Sequence, residues 1–427
     1  MQQAADASAN READLKGKKV ADRTTVLFHQ TAMILIGAFI FFVPIPHTTA
    51  IKEFCFYAAL AITLFLVISK RVTWSFRSPL ALPFLLFALW AFIGLFFAVD
   101  KPNSVHDYLA HLIRYIALYY LLVHYYDSLD GLELLSWIIV ASLTLFSVGG
   151  MICFYGIQGF NLMSDQMLFK EMEVNNIGFS TAVAIIIGLT LYEKQTQRER
   201  KLLLLVSLTS ATMATFLTHS RAAVAGLTLA LCILFPIRKK AVAIFICVIA
   251  AVVVLSPVRS FLKTDVVQNS ILQNERFNIW RTYFEMAKDY PLTGIGYGME
   301  LWKNRELWSH YVNRFPPERK SVTIDPHPHN ILMSVLVRTG FVGLGLFVFL
   351  LIQFARMCAL SIKSRDPVVR EWGVCLLAAF MAYFVKAQFE TGLDQVPVIF
   401  MFTLFAMVTI LHRLSSNTTD KDVAPTV

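Results

Sequence analysis

The sequence predicts an all-α polytopic membrane protein with about twelve transmembrane helices and one long, partly helical loop after the ninth helix. Hydrophobic residues make up 56% of the 427 residues and charged residues only 16%, a composition that is not typical of a soluble protein. Apolar runs of about 20 residues recur along the chain. A run of that length predicts a membrane-spanning helix, because lipid leaves every backbone polar group to be satisfied within its own segment.

Twelve apolar segments follow one another and define the domain organisation. Their approximate ranges are 26–43, 51–68, 79–98, 106–125, 132–156, 174–192, 202–218, 221–236, 241–257, 331–355, 372–389 and 395–412. Residues 1–25 are then a disordered N-terminus, 26–257 carry helices 1–9, 258–328 form the long loop, 329–413 carry helices 10–12, and 414–427 form a tail. The first 25 residues lack the apolar core of a cleaved signal peptide, so the first helix is expected to be the membrane anchor.

Basic residues predict the orientation. The short connections "KGKK", "SKRVTWSFR", "EKQTQRERK", "IRKK" and "SIKSRDPVVR" all fall on the same side as both termini when twelve spans are drawn. The opposite short connections carry only Lys101, Lys170 and Arg221. The positive-inside rule therefore predicts cytoplasmic termini and an outer location for the long loop. The inner loop "YYDSLDGLE" has no basic residue, which leaves an error within the first five spans as an alternative.

Charge and cysteine usage exclude several functions. The net charge of +9 is carried by residues that flank apolar segments, so it indicates membrane lipids rather than nucleic acid as the partner. The six cysteines lie in or beside apolar runs without Cys-x-x-Cys spacing, which argues against a disulfide framework and a zinc site.

The long loop has two recognisable parts. The stretch "SILQNERFNIWRTYFEMAKDY" predicts an amphipathic helix with Ile271, Phe277, Trp280, Phe284 and Ala287 at helical spacing, ended by Pro291. The Gly-rich stretch "PLTGIGYGM" follows it. Because no strand precedes these glycines and their spacing differs from a dinucleotide-binding fingerprint, they predict a tight turn and no nucleotide site.

The predicted topology assigns ionisable residues from distant parts of the chain to the outer membrane face. They are Arg221, Arg276, His327, His329, Glu390 and Asp394. An ionisable residue beside or within an apolar segment indicates function, because its burial in lipid is costly.

Each candidate has a structural alternative. Arg221 is also suited to reaching lipid headgroups, and Arg276 to a solvated helix face. His329 and Asn330 also fit a helix cap after Pro328, and the pair His327-x-His329 fits a metal site only if a third ligand exists. The isolated cations Arg114, Arg338 and Lys386 are expected to serve helix packing or to reach toward lipid headgroups, with the lining of a cavity as the alternative for the two arginines.

Arginines and a histidine on one face favour a particular chemistry. Guanidinium groups grip phosphate oxygens in pairs, and a neutral imidazole takes a proton from an attacking hydroxyl. This combination fits a displacement in which a diphosphate leaves. Since no nucleotide-binding loop is present, the energy must come from the substrate, and a lipid diphosphate that carries sugar is such a substrate.

Three stretches resemble the O-antigen ligase family: "THSRAAVAG", "ERFNIWRTYFEMAKDYPLTGIGYGM" and "PHPHNILMSVLVRTGFVGLG". The shared pattern is Ser220-Arg221, Arg276 with Trp280, Pro291-x-x-Gly294-x-Gly296, and His329-Asn330 before a Gly-rich span. The resemblance implies a GT-C-type glycosyltransferase of the bacterial inner membrane that needs no metal and no cofactor. Such an enzyme moves O-antigen polysaccharide from undecaprenyl pyrophosphate to a sugar hydroxyl of lipid A–core at the periplasmic face.

The same resemblance implies the residue roles. Arg221 and Arg276 would bind the pyrophosphate, and His329 would be the general base of an inverting reaction, with His327 as a second candidate. Asp394 matches a late acidic position of the family and has Glu390 as a close rival, while Asn330 would have a supporting role. The alternatives are an O-antigen polymerase and a ligase that glycosylates protein, which share the donor, and a membrane transporter. A transporter is expected to carry ionisable groups near mid-membrane.

Overall fold

The computed structural model describes residues 23–161, 174–218, 220–240, 242–243, 245–246, 275–299, 304–315, 327–390 and 395–421. These residues are largely α-helical and contain no β-strand. Seven of the described helices are long and apolar enough to cross a membrane. They are Arg23–Phe42, Thr49–Ile68, Leu129–Ile157, Arg198–Leu217, Ile331–Ile362, Pro367–Ala387 and Val396–Ser415.

The helices are numbered in chain order. They are α1 (Arg23–Phe42), α2 (Thr49–Ile68), α3 (Ala81–Leu95), α4 (Lys101–Asp107), α5 (Arg114–Tyr125), α6 (Leu129–Met151), α7 (Val174–Lys194), α8 (Arg198–Leu217), α9 (Arg221–Leu234), α10 (Glu275–Asp289), α11 (Arg305–Val312), α12 (Ile331–Ile362), α13 (Pro367–Ala387) and α14 (Gln395–Lys421). A π-helical turn, Tyr108–Ile113, joins α4 to α5, and a second, Ile152–Ile157, extends α6.

Helices occupy eleven of the twelve predicted segments, and the twelfth, 241–257, lies mostly outside the described residues. The prediction of an all-helical polytopic membrane protein is therefore confirmed. The count of twelve spans and the orientation of the chain stay predictions.

Side-chain caps explain where several helices begin. The hydroxyl of Ser128 accepts from Gly131 N–H at the start of α6, and that of Ser220 accepts from Ala223 N–H at the start of α9. Asp366 caps α13, which has Pro367 at its first position. Such residues satisfy backbone N–H groups that have no partner within the helix.

The last helices form the centre of the bundle. Helix α13 packs against α7, α9, α12 and α14, and α12 also packs against α3. At one end of this centre, Arg238 donates to Glu193 and Glu371 at 2.8 and 2.7 Å, which ties the segment after α9 and the end of α7 to the start of α13. Helix α9 runs antiparallel to α13, so the start of α9 and the end of α13 meet at the opposite end.

The two loop helices α10 and α11 pack on the first turns of α12 and build a small core of their own. Its largest members are Tyr283, Trp308 and Tyr311. The predicted helix that ends at Pro291 is confirmed, but its predicted apolar face is partly wrong. Phe277 and Phe284 are exposed, because the stripe through Ile279, Tyr283 and Met286 faces the core. Ile271 lies outside the described residues.

Candidate active site

A kink in α12 and the Gly-rich turn fit into each other. Gly340 interrupts α12 with φ 69° and ψ −176°, a conformation that L side chains rarely adopt. The freed backbone groups pair with the turn: Phe341 N–H donates to Pro291 O at 2.8 Å, and Ile295 N–H donates to Val337 O at 2.9 Å. A Cβ on Gly340 would overlap the carbonyl of Leu292, and one on Gly294 would overlap Val337 O. The two glycines therefore allow the turn to seat against the helix.

Arg338 fastens the turn from the other side. Its side chain is buried, donates from Nε to Tyr297 O at 2.9 Å, and stacks with its guanidinium carbon 4.0 Å from the Tyr297 ring. Trp90 of α3 donates to Thr339 O at 2.9 Å, another carbonyl freed by the kink. These contacts give Arg338 a structural role and hold the first half of α12 at a fixed angle.

His329 lies at the mouth of α12 in a strained backbone. Its φ is +46°, which is uncommon for a residue other than glycine and persists only when the surroundings enforce it. The surroundings do so on both sides. Trp280 of α10 donates to Pro328 O at 2.8 Å, and Asn330 caps α12 by accepting from Met333 N–H at 2.9 Å.

A carboxylate faces the imidazole of His329. The Nδ1 atom lies 3.8 Å from Oε2 of Glu390, and the two side chains are 16% and 10% exposed. This distance exceeds that of a hydrogen bond, but a small rotation closes it, and contacts between catalytic groups are often loose without substrate. A carboxylate at Nδ1 orients an imidazole so that Nε2 faces a reactant. The ring of His327 lies 6.4 Å from that of His329, between centroids.

Lys386, near the end of α13, is a fully buried cation that lies beside the start of α9. Its side chain is 0% exposed, and its Nζ lies 3.3 Å from the hydroxyl of Ser220 and 4.6 Å from the centre of the Phe179 ring. Ser220 directly precedes Arg221 and caps α9. Lys386 therefore holds the segment from which Arg221 projects.

The end of α13 and the residues just after it connect both halves of the site. Lys386 contacts Ser220, Gln388 accepts from the amide of Asn330 at 3.2 and 3.3 Å through its two oxygens, and Glu390 faces His329. We call this end of the bundle the His329 end. It brings together the Ser-Arg and His-Asn motifs, which are about 110 residues apart in the sequence.

The remaining sequence candidates differ in what the structure describes. Arg221 is the exposed first residue of α9. Arg276 is the second residue of α10, one helical turn before Trp280, and its side chain lies outside the described part of the chain. Asp394 also lies outside the described residues, so the choice between Asp394 and Glu390 depends on the contact of Glu390 with His329 alone.

The sequence predicts a helix-packing role for two cations that are buried in the structure, Arg338 and Lys386. For Arg338 the packing role holds, because its guanidinium fastens the turn. Lys386, in contrast, belongs to the candidate site. The signal that points to it is its position: a lone ammonium close to the end of an apolar helix, four residues before Glu390.

The fold and the site define a polytopic membrane protein in which Lys386, His329 and Glu390 lie at one end of a helical bundle. Within this class, residues 202–348 match the family model described as O-Antigen ligase. The matched region contains Arg221, α10, the Gly-rich turn, His329 and the kink of α12. The resemblance to the O-antigen ligase family is thereby confirmed over this region. No curated protein matches the chain significantly.

Proposed function

We propose that this protein is an O-antigen ligase of the inner membrane with its active site on the periplasmic face. It transfers O-antigen polysaccharide from undecaprenyl pyrophosphate to a sugar hydroxyl of lipid A–core. The observation that carries the proposal is the set of three contacts near the end of α13, which join the Ser220-Arg221 and His329-Asn330 motifs within the region that matches the family model.

The arginines bind the donor. Arg221 and Arg276 donate hydrogen bonds to the pyrophosphate and stabilise the charge that grows on it as the sugar leaves. Lys386 is a positioning residue, because it holds Ser220 and so the start of α9. Arginine suits the binding of pyrophosphate better than histidine does, because the guanidinium has several fixed donors and a charge that does not depend on pH.

His329 acts as the general base. Its Nε2 takes the proton of the acceptor hydroxyl while the oxygen attacks the anomeric carbon from the face opposite the pyrophosphate. The new C–O bond forms as the bond to the pyrophosphate oxygen breaks, so undecaprenyl pyrophosphate leaves and the configuration inverts. Glu390 orients the imidazole through Nδ1 and stabilises the imidazolium. Asp394 is the alternative carboxylate for this role, and His327 is the alternative base.

The decisive experiment is transfer in a purified system. The protein is incubated with lipid-linked polysaccharide and lipid A–core in the absence of nucleotide, in two reactions of which one contains EDTA. The expected product is polysaccharide-capped lipid A–core, formed at the same rate in both reactions. Loss of activity in EDTA would instead support a metal site at His327 and His329.

Parallel reactions separate the alternatives. Product growth on the lipid-linked glycan itself, without lipid A–core, would indicate a polymerase, and product on an added acceptor protein would indicate a protein ligase. Movement of the lipid-linked glycan across the bilayer without any new glycosidic bond would indicate a transporter.

A further inference from the structure

A polar cavity lies among α1, α2, the α4–α5 region and α14. It has a volume of about 330 Å³, is open on one side, and shares no residue with the candidate active site. A volume of this order is typical of ligand sites. Its polar lining includes Lys52, Glu53, His106, His111 and Arg114. We call it the Arg114 cavity.

The Arg114 cavity is at the His329 end of the bundle. It is bordered by the end of α1, the start of α2 and the start of α14. Val396 in its wall is only six residues beyond Glu390. A ligand in this cavity therefore lies on the same membrane face as the proposed glycan transfer.

The lining of the cavity carries two cations and one carboxylate. Glu53 accepts from Nη1 of Arg114 at 2.8 Å. Asp107 contacts the two histidines, at 2.9 Å from His106 and 3.5 Å from His111. Among the described residues Lys52 forms no ion pair, so its ammonium is the charge of the lining that an anionic ligand can neutralise.

The guanidinium of Arg114 retains capacity to donate. Its side chain is only 16% exposed, and among the described residues its buried Nε has no hydrogen-bond acceptor. A buried donor without an acceptor is costly, and phosphate oxygens match the paired donors of a guanidinium. The rings of Phe56, Tyr57 and Phe39, 4.9 to 5.7 Å from its central carbon, hold the group in place.

The cavity also reaches the apolar outer surface of α2. Tyr57 lines the cavity and is 54% exposed, and it shares α2 with the exposed Phe54, Leu64 and Phe65. A ligand with a charged head and an apolar tail fits such an opening. The π-helical turn that precedes Arg114 is a second unusual feature, since such turns occur frequently at functional sites.

We infer that the Arg114 cavity binds a phosphate group carried by a membrane lipid. Arg114 donates to the phosphate through guanidinium N–H groups other than the one that bonds Glu53, and Lys52 adds a point charge. Glu53 holds the guanidinium in position. The binding claim stands apart from the proposed glycan transfer. Only the choice of lipid A–core as a probe rests on it, because phosphorylated lipid A–core would then be the acceptor.

The test measures lipid binding without any donor substrate. Purified protein in phosphatidylcholine nanodiscs is titrated with phosphorylated lipid A–core, the same lipid after enzymatic dephosphorylation, phosphatidylglycerol, and inorganic phosphate. The variants are Lys52→Gln, which leaves the Arg114–Glu53 pair intact, and Glu53→Gln/Arg114→Gln, which removes both charges together. Arg71→Gln, at the far end of α2, is the matched control.

The expected result is that wild-type protein binds phosphorylated lipid A–core roughly tenfold more tightly than the dephosphorylated form, and that each cavity variant loses this preference. Equal binding of phosphatidylglycerol would support a site for lipid phosphate in general. Inorganic phosphate that binds as tightly as the lipids would overturn the lipid assignment, and so would an unchanged preference in both cavity variants. Because no donor is present, these outcomes are independent of whether the protein transfers glycan.

Discussion

Replacement of Lys386 by methionine tests whether the buried ammonium acts on the proposed reaction. Lys386 is fully buried and its Nζ lies 3.3 Å from Ser220 Oγ. A hydrogen bond that involves a charged group contributes about 1.5–3 kcal/mol. If this contact positions Arg221 for the transition state, its loss lowers kcat/KM roughly 10- to 150-fold.

The fold is expected to tolerate the same change. Methionine has a similar volume, and exchange of a buried cation for a well-packed apolar group is often neutral for stability. The Tm of the detergent-solubilised protein should therefore change little, while the rate of glycan transfer by the purified enzyme falls. Lys201→Met, in the first turn of α8, is the matched control and should leave both properties unchanged.

A double variant shows whether the effect passes through Ser220. If it does, Lys386→Met/Ser220→Ala is no slower than the slower single variant, because both substitutions remove the same contact. Additive losses would mean that Lys386 acts elsewhere. Wild-type transfer by Lys386→Met would refute the positioning role altogether.

Four further predictions concern the site and the long loop. His329→Ala and Arg221→Ala should each abolish transfer while membrane levels of the protein stay normal; polysaccharide-capped lipopolysaccharide at wild-type level in His329→Ala cells would rule out that base. Glu390→Gln should lower kcat about tenfold or more with little change in KM for the donor, because the imidazolium loses its partner charge; a change confined to KM would argue against this role. Gly340→Ala should destabilise the loop and the start of α12 by at least about 2 kcal/mol, through the strained φ and the overlap with Leu292, and should appear as faster proteolysis of the loop; Gly345→Ala, where a Cβ meets open space, is its control. Hydrogen bonds from Arg314 hold the pKa of Asp289 below its usual range, so this pair stabilises the loop at neutral pH. The stabilisation is lost as the pH falls through the lowered pKa. The difference in Tm between wild type and Asp289→Asn should therefore shrink below pH 4 and not between pH 6 and 8.

The membrane helices could be predicted from the sequence because lipid imposes a simple rule on length and polarity. The amphipathic helix α10 was predicted correctly in position, and its end at Asp289 follows directly from Pro291. Its orientation was not predictable, because Phe277 and Tyr283 are both aromatic and only contact with α12 decides which one is buried.

The site could be predicted in part. Arg221 and His329 stand out in the sequence because each is an ionisable residue at the start of an apolar helix. Lys386 lies instead near the end of an apolar helix, and the sequence predicts a packing role for it, because its partner Ser220 lies about 165 residues earlier and no local pattern connects them. The contact between Glu390 and His329 is likewise a product of how α12 and α13 pack.

The kink at Gly340 shows a further limit of sequence reasoning. Glycines recur at positions 340, 343 and 345, which is consistent with close helix packing anywhere along α12. Only Gly340 has a positive φ, because it is there that the Gly-rich turn inserts its backbone against the helix.

An experimental structure of the protein bound to undecaprenyl pyrophosphate tests the proposed site most directly. Phosphate oxygens are expected to accept hydrogen bonds from both Arg221 and Arg276, at about 2.7–2.9 Å. Nε2 of His329 is expected to face the space beside the pyrophosphate. A pyrophosphate bound elsewhere, or one held by the two arginines with His329 pointing away from it, would contradict the proposed roles of these residues.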